Sequence, residues 1–170
     1  MAVLHLNFLS RFLQGNTDVA LILPEGKFAW DIPAEQYYAE HNAFPVIWLL
    51  HGTYGDYTDW IRWTNIERFA DQHDLAVVMF SAGNSDYYAW PDASLGYDPY
   101  RFLLDELMPL AQQWFPLSTK REENFVAGLS MGGYGACLYG FNNPERFGGV
   151  GAFSGVPFDL PNLLKDPSQL

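Results

Sequence analysis

The sequence predicts an α/β fold, a three-layer αβα sandwich around a mostly parallel central sheet, and three observations carry that prediction. Continuous apolar runs end in small or polar residues, as in "PVIWLLHG", "LAVVMFS" and "NFVAGLS", which is how strands covered on both faces read. Segments with apolar residues at helical spacing lie between these runs. Strands and helices alternating at these lengths require parallel pairing through right-handed crossovers.

The first elements depart from that alternation. In "AVLHLNFLS", Leu4, Leu6 and Phe8 alternate with His5 and Asn7, the pattern of a half-buried strand. "DVALILPEG" reads as its hairpin partner, with Gly15-Asn16 near the turn. An antiparallel hairpin therefore opens the sheet. Residues 27 to 44 are rich in aromatics and turn formers and read as a surface excursion. After the "PVIWLL" strand, "DWIRWTNIERFADQHD" places Trp60, Trp63, Ile66 and Ala70 at helical spacing, and "LAVVMFS" follows as another strand. Tyr100, Leu103, Leu104, Leu107, Leu110, Ala111 and Trp114 form the next helical stripe, stopped by Pro116. "NFVAGLS" is a strand, "MGGYGACLYGFNN" a helix ended by Asn142-Asn143-Pro144, and "FGGVGAFSG" a further strand. No repeat or linker divides the 170 residues, so residues 1–170 are read as one domain.

Composition narrows the partners. Acids outnumber bases 20 to 9, for a net charge of -11, which argues against nucleic acid or an anionic membrane surface as partner. The single cysteine, Cys137, permits no disulfide within the chain and no cysteine metal cluster. Cys137 reads as core packing in a helix of small residues. His51, Asp56 and Asp59 lack a recognised ligand spacing, so neither metal nor cofactor is expected. "MAVLHLNFLSRFLQG" lacks the basic start of a secretory signal, and no run reaches transmembrane length. A cytoplasmic location is the expectation.

Ligands of such sheets bind at the carboxyl ends of the strands. Three loops leave those ends, at His51, Ser81 and Ser130. The segment Gly128-Leu129-Ser130-Met131-Gly132 lies between a strand and a helix. Its simplest reading is a tight turn that contains a serine. The functional reading is a nucleophile elbow, in which a sharp turn lifts the Ser130 hydroxyl from the sheet and Gly128 and Gly132 relieve crowding. The N–H of Met131, at the helix amino terminus, would then face a developing oxyanion. In "HGTYGDYTDW", Gly52 leaves room for an acyl group and Thr53 offers a second N–H. His51 is read as a structural histidine holding that loop rather than as a base. Tyr54, Tyr87, Tyr88 and Trp90 reach the same face, where they either line a substrate pocket or cover the helix layer. Ser154 is read as the polar end of a strand.

"PVIWLLHGTYGDYTDWIRWTNIERFA", "NFVAGLSMGGYGACLYGFNNPERF" and "AFSG" resemble the esterase D-like branch of the α/β-hydrolases. Within it, the likeness is to small tributyrin-type bacterial carboxylesterases. It runs from about Leu6 to Pro157. The resemblance implies hydrolysis of short-chain acyl esters through an acyl-enzyme on Ser130, with Thr53 and Met131 at the oxyanion positions. In the family, the acid and histidine of the triad follow the elbow. Here forty residues follow Ser130 and none is histidine, the four being His5, His41, His51 and His73. The expectation is a fold lacking its C-terminal part, with the acid and base outside this chain. A homo-oligomer or a complementing C-terminal segment would then complete it. Two alternatives stay open: a non-catalytic binding module, and an acyltransferase using the same elbow.

Overall fold

Alternate residues of the central strands divide between two apolar clusters, one on each face of a single sheet. This follows from the two-residue period of a strand, which sends successive side chains to opposite faces. The structure, a computed structural model, describes residues 1–25, 33, 43–88 and 96–155. Its strands are β1 (Ala2–Ser10), β2 (Gly15–Leu23), β3 (Val46–Leu50), β4 (Ala76–Phe80), β5 (Asn124–Leu129) and β6 (Gly149–Phe153). They lie in the order β1-β2-β4-β3-β5-β6. The β1–β2 hairpin is antiparallel and joins β4 antiparallel, while β4, β3, β5 and β6 are parallel to one another. The expected hairpin and parallel core are both present.

The helices are α1 (Asp59–Trp63), α2 (Ile66–Gln72), α3 (Pro99–Arg101), α4 (Met108–Trp114) and α5 (Met131–Asn142), with a π-helical stretch at Phe102–Leu107 between α3 and α4. On one face Val46, Trp48, Leu50, Val78 and Phe80 pack against Phe102, Leu103, Leu107, Ala136 and Tyr139. On the other, Leu49, Val77, Met79 and Ala127 meet Ala70, Trp60, Ile61 and Ile66 of α1 and α2. Helices on both faces make three layers.

Two expected elements are corrected. The segment around Trp60–Ala70 forms two short helices, because Thr64 leaves the helical conformation at φ -137° and ψ 176°. Its hydroxyl donates to the Trp60 carbonyl and accepts the Ile66 N–H at 3.1 Å, so a side chain replaces the helical ladder there. The long stripe after Tyr100 widens into π geometry over one turn and a half, which keeps Phe102, Leu103, Leu104 and Leu107 buried together. Most of the excursion at residues 27 to 44 lies outside the described residues.

Candidate functional site

At the end of β5 the chain turns directly into α5, and Ser130 is the residue between them. Its backbone stands at φ 55° and ψ -115°, a conformation that L residues rarely hold. Two hydrogen bonds lock it there. The Ser130 N–H donates to the Phe153 carbonyl at 2.9 Å, and the Ser130 carbonyl accepts the Tyr134 N–H at 3.1 Å, which opens α5. A Cβ on Gly128 would collide with the Gly132 backbone, and one on Gly132 would lie 2.7 Å from the His51 carbonyl oxygen. The turn is therefore tight enough to require both glycines.

The loop after β3 comes alongside. A Cβ built on Gly52 would sit 3.6 Å from the Ser130 Cβ, within ordinary contact. The Gly55 N–H donates to the Gly52 carbonyl at 3.1 Å and closes a turn around Thr53 and Tyr54. Tyr54 holds φ 64°, and its N–H donates to Asn84 Oδ1 at 2.8 Å. The loop after β4 thus latches the loop after β3. Among the described residues no acceptor meets the N–H groups of Thr53 and Met131, and no partner meets the Ser130 hydroxyl.

His51 is fully buried and both of its ring nitrogens are engaged. Nε2 accepts the Ala82 N–H at 3.0 Å, which requires the tautomer whose Nδ1–H donates to the Gly52 carbonyl at 2.7 Å. Burial lowers its pKa; the Gly52 contact and the charges of Asp59 and Asp56 only partly oppose that. A neutral ring tied at both nitrogens has no lone pair left for substrate, and His51 serves the loop.

Tyr87 does not line an open pocket. It is wholly buried, and its hydroxyl donates to the His51 carbonyl at 2.9 Å. Tyr54 is 91% exposed beside the turn, where nothing in the core requires an aromatic. Tyr88 is half-buried, and its phenol and Asp86 lie close enough to Tyr134 to reinforce the effect of burial in raising the Tyr134 pKa. Trp90 lies outside the described residues. Asn84 and Tyr134 carry no signal in the sequence, because neither stands in a periodic pattern.

A cavity of about 450 Å³ lies elsewhere, at the amino end of β5, lined by Leu104, Met108, Gln112, Asn124, Glu145 and Arg146. Two of its polar side chains are already used. Arg146 donates to the Leu104 carbonyl at 2.7 Å and Gln112 to the Ser118 carbonyl at 2.9 Å. Ser130 stands at the opposite, carboxyl end, where sheets of this kind bind ligands.

Comparison with known proteins bears on the family and the fold. An esterase family model matches residues 12–162. An acetyl esterase of Caldicellulosiruptor saccharolyticus is 32% identical over 175 residues, covering 95% of this chain and 62% of its own. Among solved structures, fluorophosphonate-binding serine hydrolase F of Staphylococcus aureus superposes with a TM-score of 0.78 at 32% identity, over 97% of this chain and 60% of that one. An S-formylglutathione hydrolase from Staphylococcus aureus gives 0.75 at 34% identity, over 97% of this chain and 61% of that one. The chain thus spans about three fifths of the length of these relatives. No helix among the described residues is long and apolar enough to cross a membrane. The chain belongs to the esterase family, and its sheet and helices are those of the α/β-hydrolases.

Proposed function

We propose that this chain carries the nucleophile and oxyanion hole of a serine carboxylesterase acting on small-molecule, short-chain acyl esters. The observation that carries the reading is the strained Ser130 turn, at φ 55°, set beside the Thr53 and Met131 N–H groups, which meet no acceptor among the described residues. Strain of about 1–3 kcal/mol persists where the surroundings over-determine it, and such strain gathers at active sites. Ser130 Oγ attacks the ester carbonyl, a base takes its proton, and the carbonyl oxygen becomes an oxyanion facing the two N–H groups. The alcohol leaves, and water releases the acid from the acyl-enzyme.

The base has to come from outside the described residues. His51 has both nitrogens occupied. His5 lies on β1, at the far edge of the sheet. His73 ends α2, just before the amino end of β4. An acid and a histidine reaching Ser130 from beyond β6 complete the triad in this reading. The relatives described as an acetyl esterase and as serine hydrolases favour ester hydrolysis over a pure binding role.

The test is hydrolysis of p-nitrophenyl butyrate by the purified protein. Ser130→Ala is expected to abolish turnover with the fold intact, and Thr53→Val, which keeps the backbone donor, to stay within a few-fold of wild type. Retained activity in Ser130→Ala defeats the nucleophile assignment. A wild-type protein that binds esters without turning them over, even when a segment bearing the acid and histidine is supplied, supports the binding-module reading instead.

A further inference from the structure

The two N–H groups assigned to the oxyanion belong to segments that, among the described residues, no backbone hydrogen bond joins directly. Thr53 follows His51 by two residues on the β3 loop, and Met131 begins α5. Tyr87 touches both segments. Its hydroxyl donates to the His51 carbonyl at 2.9 Å. Its ring lies against Gly135, one turn into α5, where a Cβ would come within 2.6 Å of the ring carbon Cδ2. The ring is fixed on its other sides by Phe80, edge to face at 5.9 Å, and by Tyr139 at 6.2 Å.

The backbone beneath it is unusual as well. Asp86 and Tyr87 stand at φ 54° and 58° in succession, a strained arrangement for two non-glycine residues. The Ser85 hydroxyl accepts the Tyr87 N–H at 3.2 Å, and the Ser85 carbonyl accepts the Tyr88 N–H at 3.1 Å. The chain is thus bent to drive one phenol inward between the β3 loop and α5. Burial holds that phenol well above its ordinary pKa, so it stays a donor to the carbonyl.

We propose that Tyr87 is a positioning residue that sets the separation of the Thr53 and Met131 N–H groups by spanning the β3 loop and α5. The proposal rests on the esterase reading for its catalytic consequence, and on geometry for the spacing itself. A donor displaced from the oxyanion weakens a contact made chiefly in the transition state, so the loss should appear in kcat and spare KM.

Tyr87→Phe tests it, because it removes the hydroxyl and keeps the ring. Two readouts are taken on the purified protein: p-nitrophenyl acetate kinetics, and backbone ¹⁵N order parameters at Thr53 and Met131. The expected result is a ~10-fold fall in kcat with KM nearly unchanged, a fraction of the ~10²–10³ that follows loss of a whole oxyanion donor. The Thr53 order parameter should fall while those of β3 and β5 hold. Unchanged kcat with unchanged Thr53 order overturns the proposal, as does a loss confined to KM, which would mark Tyr87 as pocket lining. If the wild type shows no turnover, kcat carries no information, since the base lies outside the described residues, and the order parameters alone decide, unchanged values at Thr53 again overturning the proposal. Should Tyr87→Phe not fold, Gly135→Ala, which displaces the ring from the other side, carries the same readouts.

Discussion

The imidazole of His51 is buried with both nitrogens satisfied, so adding a proton has a definite cost at this one residue. Protonated Nε2 would face the Ala82 N–H donor to donor, and burial accordingly lowers the pKa from its ordinary 6.5. Between the lowered value and 6.5 the unfolded chain binds more protons than the folded one, so stability rises with pH there. The contribution is present in full above about pH 6.5 and is lost as pH falls through the window below it. Urea midpoints at pH 7.5 and pH 5.5 measure this, and His51→Gln should flatten the difference between them. An equal pH dependence in both proteins would place the loss on other groups. That His51 precedes the elbow, against the triad order of the resembled family, was legible in the sequence; the two ring hydrogen bonds that tie it to the loops were not. Nor was the inward turn of Tyr87. An aromatic residue in a loop of aromatics carries no period, and only the two positive φ angles before Tyr88 send it into the core.

At the scale of the element, the β5–α5 junction depends on close approach rather than on side-chain contacts. A Cβ on Gly132 would strike the carbonyl oxygens of Leu50 and His51, which are backbone atoms with little freedom to yield. Gly132→Ala should therefore cost about 1–3 kcal/mol, the usual range for overpacking. It should also push Met131 away from Thr53. A urea midpoint within error of wild type would contradict the tight turn. This junction was legible because buried strand, serine, glycines and helix stand in one short stretch. The covered strands were legible for a related reason, since burial on both faces leaves an unbroken apolar run. The break between α1 and α2 escaped a reading based on spacing. Trp60, Ile66 and Ala70 keep their apolar face across it, while the decision belongs to the Thr64 hydroxyl.

Across the whole molecule, cover thins toward β6. Leu129 and Phe153 are register partners and remain 44% and 53% exposed, and Trp60 reaches only one side of Phe153. On the other face Val150 and Phe141 are also exposed. Among the described residues no strand pairs with the outer edge of β6. An apolar edge of this kind invites pairing with further chain. The 170 residues alone should therefore self-associate, and Val150→Lys with Phe153→Lys should shift the solution mass toward the monomer in light scattering. A wild-type monomer at micromolar concentration would show that the edge is covered. The central claim, that Ser130 is the nucleophile, is tested most directly by incubating the purified protein with excess fluorophosphonate and mapping the adduct by peptide mass. The account predicts one label per chain, on the peptide holding Ser130, and none in Ser130→Ala. Label on another peptide, or equal labelling of Ser130→Ala, would contradict it.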